Sequence, residues 1–323
     1  MLTEYRRTYP WLLLAALALL PSCNPDKNKL LFRPEVQGSR VVNTTEAVSF
    51  SMNIVGMDMT MGYSRDASYI MTVKSIDDTG DTTLDVTYDV MRFEVNGLEG
   101  LLGGFQGMPN MPKLPGMDDP LGLKALKEAL NALKGETFTV RVNRHGEVLK
   151  VTGADAIAKK VTDGLKGPAR GPAAGMGEGL VKGLGDEGTL AAMKSIFLVT
   201  PDKALNAGDS WQETLERDDL AVPMQADTAI TVRERSQGTL TLDLVSKYTL
   251  DLSSGPLKET FAGAKGSTSI TGQGSGVLSF EEATGWLREG VTTGKVSGSL
   301  SPVEGVQFPI NASFKTEVHS YPK

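Results

Sequence analysis

The sequence predicts a mainly β protein, antiparallel, built as two pseudo-repeated curved sheets or one half-barrel, with short inserted helices. A two-domain β-sandwich is the alternative. Three observations carry this. Apolar and polar residues alternate over most of the chain after residue 46, the period of strands with one buried face. Turn signals such as Asp78-Thr79-Gly80-Asp81 and Asn143-Arg144-His145-Gly146 separate these runs at hairpin spacing. The two halves also share patterns at nearly equal separation. Ile70-Met71-Thr72-Val73-Lys74 returns as Ala229-Ile230-Thr231-Val232-Arg233, and Thr83-Leu84-Asp85-Val86 as Thr241-Leu242-Asp243-Leu244.

In chain order, Arg6 and Arg7 precede an apolar run from Trp11 to Leu20, the charged and hydrophobic parts of a secretory signal. The run is shorter than the roughly 20 residues that span a bilayer. Leu20-Pro21-Ser22-Cys23 then resembles the bacterial lipobox, with Pro21 an uncommon residue at its place. The resemblance implies cleavage before Cys23, the only cysteine, and a diacylglyceryl thioether on its sulfur. Ordinary cleavage leaving a free thiol is the alternative. Several acyl chains, at about 0.8 kcal/mol per buried methylene, make a durable anchor. Asn24 after the cysteine, in place of Asp, favours the outer membrane of a diderm cell, facing the periplasm or the cell surface. Removing Arg6, Arg7 and Glu4 with the signal takes the net charge from −6 to −7, which offers nothing to nucleic acid.

Residues 23–45 read as the lipidated cysteine and a polar, flexible tether. Residues 46–163 read as an N-terminal β repeat with a helical insert. Val48, Phe50, Met52 and Ile54 alternate, parity shifts after Val55-Gly56 to Met57, Met59 and Met61, and Tyr69, Met71 and Val73 face Leu84, Val86 and Tyr88 across the Asp78 turn. After a Gly- and Pro-rich loop, Asp119 as N-cap, Pro120, the stripe Leu123, Leu126, Leu130 and Leu133, and the stop Gly135 spell a helix. A hairpin from Phe138 to Val151 and a helix with Ile157, Val161 and Leu165 on one face complete the half. Residues 164–200 read as a Gly-rich mobile and helical linker, and 201–323 as the C-terminal β repeat.

Pro201-Asp202-Lys203 with Ala207-Gly208-Asp209-Ser210-Trp211, the Met-rich early strand, and the glycine-turn hairpins at Gly146 and Gly285 resemble an uncharacterised family of bacterial lipoproteins, a domain of unknown function. The resemblance covers most of the mature chain and implies no activity or catalytic residue. The Gly-Asp-Ser-Trp piece reads as a turn into a strand, with Trp211 as a core anchor.

Motifs of catalysis are missing. Gly274-Ser275-Gly276 lacks the spacing of a nucleophile elbow, and Gly290 to Lys295 is one residue short of a phosphate loop, with Val296 in place of Ser or Thr. The two histidines, His145 and His319, cannot build a histidine-rich zinc site. Glu281-Glu282 and Asp218-Asp219 read as solvated turn charges. The expectation is therefore a non-enzymatic protein with no catalytic residue and no cofactor beyond the lipid on Cys23.

Met57, Met59 and Met61 share one face of a strand, with Met52 and Met71 near. They suit core packing, an adaptable apolar cavity, or a Cu(I) site through Met57, Met59 and Met61. The sequence points to an envelope lipoprotein that shelters a lipid or other apolar small molecule in a concave β face. Met52, Met57, Met59, Met61, Met71, Leu126 and Leu130 are the candidate lining. A scaffold or adaptor with an envelope protein as partner and no small-molecule ligand is the alternative.

Overall fold

The computed structural model describes residues 26–54, 57–97, 123–165, 183–217, 224–251, 269–303 and 306–323. The expected signal, Cys23, Asp119, Pro120 and residues 166–182 of the expected linker lie outside them. The alternating runs form strands β1 Ser39–Ile54, β2 Met57–Ile76, β3 Thr82–Asn96, β4 Thr137–Val142, β5 Val148–Thr152 and β6 Ser210–Arg217. The later strands are β7 Met224–Ser236, β8 Thr239–Asp251, β9 Ser269–Glu281, β10 Leu287–Val303 and β11 Val306–Pro322. Helix α1, Leu123–Asn131, lies between β3 and β4. Helices α2, Ala154–Leu165, and α3, Asp186–Lys194, lie between β5 and β6.

All eleven strands join one sheet in the order β5-β4-β3-β2-β1-β11-β10-β9-β8-β7-β6. Each neighbouring pair is antiparallel. Of the expected architectures the single half-barrel holds, and separate sheets or a sandwich do not. The chain starts at the middle of the sheet, runs outward to β5, crosses to the far edge at β6 and returns, so that the last strand pairs with the first. Following this alternation around the sheet makes β5 and β6 run parallel to each other, facing across an unpaired seam.

The repeated motifs occupy equivalent places. Met71, Thr72 and Val73 pair with Val86, Asp85 and Leu84, and the register then slips at Lys74. Ile230, Thr231 and Val232 pair with Leu244, Asp243 and Leu242, and the register slips at Arg233. In each half the bulged base joins the neighbouring aspartate, Lys74 with Asp85 at 3.4 Å and Arg233 with Asp243. The entry turns match as well. Gln37 N–H donates to the Val73 carbonyl and Val73 N–H to Gly38, while Gly208 N–H donates to Val232 and Val232 N–H to Asp209. In this correspondence β1–β5 match β6–β10. Strand β11 joins the second repeat back to β1, whereas after β5 the chain makes α2 and α3, leaving the seam where a twelfth strand would close the ring.

One face of the sheet is concave and apolar, and the helices pack against its β3–β5 part. Tyr69, Tyr88 and Phe138 form an aromatic ladder with 5.4 Å between successive ring centroids. Leu84, Val86, Val140 and Val142 are fully enclosed beneath Leu133, Ile157, Val161 and Met193. Gly135 stops the helical stretch as expected and adopts φ +84°, letting its N–H donate to the Tyr88 carbonyl. Helices α2 and α3 cap each other: Asp186 accepts from Asp155 N–H at 3.0 Å, and Asp155 from Asp186 N–H at 2.8 Å.

Residues 26–38, assigned from sequence to a tether, are built into this body. Leu30, Leu31 and Phe32 are buried, Phe32 N–H donates to Arg144 and Arg33 N–H to Thr284, each at 2.8 Å. Asp26 bridges Arg33 and Arg144. The polar run from Asn43 to Glu46 belongs to β1. Polar composition suggested a solvated segment, but three consecutive apolar residues suffice to seat it across the end of the half-barrel. Gly285 makes that seat possible: at φ +74° its missing side chain leaves room for the Leu31 carbonyl.

Candidate functional site

The seated segment closes one end of the concave face. Phe32 meets Phe197 and Trp286 edge-on, with centroids 5.3 and 4.8 Å apart. Above this aromatic floor the sheet wraps a cavity of about 710 Å³, within the range of pockets that hold small molecules. Strands β1, β2 and β6–β11 supply most of its wall, and Glu147 and Val148 at the start of β5 and residues 192–199, running from α3 along the seam, supply the rest.

Interstrand register arranges the wall in bands. Toward the open end, Val48 lies opposite Phe314, Phe50 and Val296 flank Ala312, and Ala226 lies between Leu215 and Tyr248. Below them runs a polar girdle. Arg65, Glu46, Thr316 and Thr292 are successive neighbours across β2, β1, β11 and β10, and Glu213, Thr228 and Ser246 across β6, β7 and β8. Beneath it Ile230, Leu244, Leu278 and Val318 lead to the aromatic floor.

Within the girdle Arg65 binds Glu46 at 2.7 Å, and the Tyr63 hydroxyl donates to the same carboxylate at 3.2 Å. The Thr228 and Ser246 hydroxyls lie 2.8 Å apart. Burial pushes the Glu213 carboxyl above its ordinary range, opposed by the adjacent Trp211 indole and reinforced by the charge of Glu147. Burial likewise raises the phenols of Tyr69 and Tyr248.

Glycines shape the wall at β9 and β10. Gly274 and Gly294 are direct partners. The Tyr248 ring lies over the first, 2.7 Å from where a Cβ would stand, and the Phe314 ring occupies the place of a Cβ on the second. The two rings meet edge-on at 4.9 Å. Bare backbone there lets the sheet bend and the aromatics lie flat against it.

Several expected lining residues sit elsewhere. Met71 is completely buried in the core beside Val86, and Leu130 is buried on α1 beneath the β3–β5 face. Met61 borders a smaller recess with Gly62 and Ser313. Met52 and Met59 are register partners at the open end of β1 and β2, and Met57 pairs with Ile54. Side chains of Met52, Met57, Met59 and Leu126 lie outside the described residues. Sequence reading missed the girdle. Its signal was present, because Thr44 and Glu46 break an inward-facing file that otherwise reads Val42, Val48, Phe50.

Other expectations also find their places. Gly274–Gly276 lies within β9 and Gly290–Lys295 within β10, neither near a helix start. Glu281 and Glu282 are not merely solvated turn charges: they pair with the buried Arg40 at 2.8 Å and with Arg235 at 2.9 Å. Asp218 and Asp219 lie outside the described residues. Trp211 packs against the core as anticipated. Among the described residues no cluster of three His, Cys, Asp or Glu side chains could hold a metal ion, and no helix is long and apolar enough to cross a membrane.

A model of a family of unknown function, DUF6263, matches residues 79–287. No curated protein matches the chain. Among solved structures, one titled for lipid–protein interactions in lipovitellin is 11% identical over 90% of this chain, with a TM-score of 0.35. This chain spans 25% of that one. Pseudomonas aeruginosa OccK2 is 8% identical over 89% of this chain and 99% of its own, with a TM-score of 0.23. A DUF1329 family protein from Desulfovibrio piger is 8% identical over 86% of this chain and 83% of its own, at 0.12. Scores this low do not define a common fold.

Proposed function

This chain belongs to that family of unknown function, and we propose that it is a lipid-anchored envelope protein, not an enzyme, that shelters an apolar ligand in the hollow of its half-barrel. One observation carries the reading: a cavity of about 710 Å³ remains between apolar bands of the sheet, although the adjoining β3–β5 face is filled by helices. A chain selected only for stability gains by filling such space, since each buried apolar side chain contributes roughly 1.5–3 kcal/mol. Anchoring rests on the lipobox resemblance at Cys23, and an outer-membrane location on Asn24. No cofactor is needed beyond the covalent lipid.

The test is native mass spectrometry of the mature chain, exported behind a non-lipoprotein signal and weighed before and after organic extraction. A stoichiometric acyl-sized adduct that extraction removes is expected. A bare polypeptide mass, unchanged after incubation with envelope lipids, would overturn the ligand reading and favour a scaffold. A copper-sized increment would point to the methionines of β2. Incorporation of labelled palmitate into the natural chain, lost in Cys23→Ser, checks the anchor separately.

A further inference from the structure

The polar girdle narrows the ligand's chemistry. A cavity that takes free fatty acids needs a cation available to the carboxylate; among the described residues Lys194 reaches the wall at the exposed end of α3, and the cation within the girdle is Arg65. Its charge is already matched by Glu46 at 2.7 Å, and Glu46 also receives the Tyr63 hydroxyl. A second carboxylate at this level would face the first across a medium of low dielectric, where like charges repel strongly. Farther round, Glu213 adds another acid, and its raised pKa reports the same reluctance of the wall to carry negative charge. The neighbouring groups suit an uncharged partner instead. Thr316 and Thr292 pair across β11 and β10 beside Glu46, and among the described residues no protein group bonds their hydroxyls, each of which can both donate and accept.

We infer that the ligand is an acyl chain carried on an uncharged ester, amide or hydroxyl head, held with that head at the Arg65–Glu46–Thr316–Thr292 row, and that free fatty acid anions are discriminated against. This rests on the cavity being a binding site. Thr316 and Thr292 meet the carbonyl or hydroxyl oxygens of the head, Glu46 accepts from a hydroxyl or amide N–H, and the apolar bands above and below cover the chain. The ion pair supplies polarity without net charge, so an anionic head is penalised and a neutral one of the same length is not.

The experiment uses the mature chain and two probes of equal chain length, 1-palmitoylglycerol and palmitate. Each competes with a fluorescent apolar dye at pH 8, below its aggregation concentration. The glyceride is expected to displace the dye at a concentration about tenfold or more below that of palmitate, a difference of roughly 1.4 kcal/mol. Glu46→Gln, which removes the carboxylate paired with Arg65, should tighten palmitate relative to the glyceride by a similar factor. Palmitate binding as well as the glyceride to the natural chain overturns the inference while leaving the cavity reading intact. A preference unmoved by Glu46→Gln removes the ion pair as its cause. Failure of both probes to bind overturns the cavity reading and this inference with it.

Discussion

Truncating Phe32 tests whether the segment before β1 is structural. Its ring is 4% exposed and makes edge contacts with Phe197 and Trp286. A Phe→Ala change at a site this enclosed costs about 3–5 kcal/mol, because the lost burial is compounded by a void that the surrounding rings cannot easily fill. The two aromatic contacts, each worth about 0.5–1.5 kcal/mol, place the expected loss at about 4 kcal/mol. For a chain of this length that lowers Tm by roughly 8 °C. The assay is thermal and urea unfolding of the mature chain followed by tryptophan fluorescence, since Trp286 lies against the mutated ring. Val36→Ala, at a residue 54% exposed only four positions away, is the control and should stay within about 0.5 kcal/mol of the natural chain. A Phe32→Ala chain as stable as the control would refute the reasoning and return residues 26–38 to the role of a tether.

Other perturbations probe different parts. Gly294→Ala should destabilise by about 1–3 kcal/mol by driving a methyl into the Phe314 ring, with Phe314→Ala in the same chain recovering part of the loss in a double-mutant cycle. Asp155→Ala and Asp186→Ala should each cost about 1 kcal/mol in urea unfolding, and the double variant less than twice that, because each carboxylate caps the helix bearing the other. The Glu281 carboxyl is held below its usual range first by the Arg40 hydrogen bond, against burial and with help from Thr284. A depressed pKa in the folded state adds stability above the unfolded carboxylate range and loses it as pH falls through the folded value. The natural chain should therefore exceed Glu281→Gln in stability at pH 7, and the gap should close by acid titration. A gap that widens in acid would contradict the pairing.

Much of the fold was legible because strand alternation and turn chemistry are local. The Asn143–Gly146 hairpin, the stop at Gly135 and the repeated Thr-Leu-Asp motif all fall where their residues imply. The seating of Leu30–Phe32 was not legible, since nothing in a short apolar triplet announces a partner as distant as Trp286. The cavity was hidden for a related reason: Val48 and Leu84 both face inward on the same pattern, yet one meets open space and the other is enclosed. Met71 illustrates the error this produces. Its neighbourhood in sequence suggested a methionine surface, but a file of inward residues passes from cavity to core within one strand. Glu46 was the more informative residue, because an acid at an inward position demands a partner.

The pairing of β1 with β11 bears on the order in which the molecule can assemble. Val42 stands opposite Ser320, almost the whole chain away. Hairpins such as β2–β3 or β7–β8 can form as soon as their residues emerge, whereas β1 keeps one edge open until the last strand arrives. Closing so long a loop adds little to its thermodynamic cost but slows folding. A chain cut before Val306 would present the facing edges of β1 and β10 side by side without the strand that joins them, as templates for pairing with other chains. The 17-residue strand β11 thus acts as the fastening of the sheet, and the molecule commits to its half-barrel only once that strand has been made.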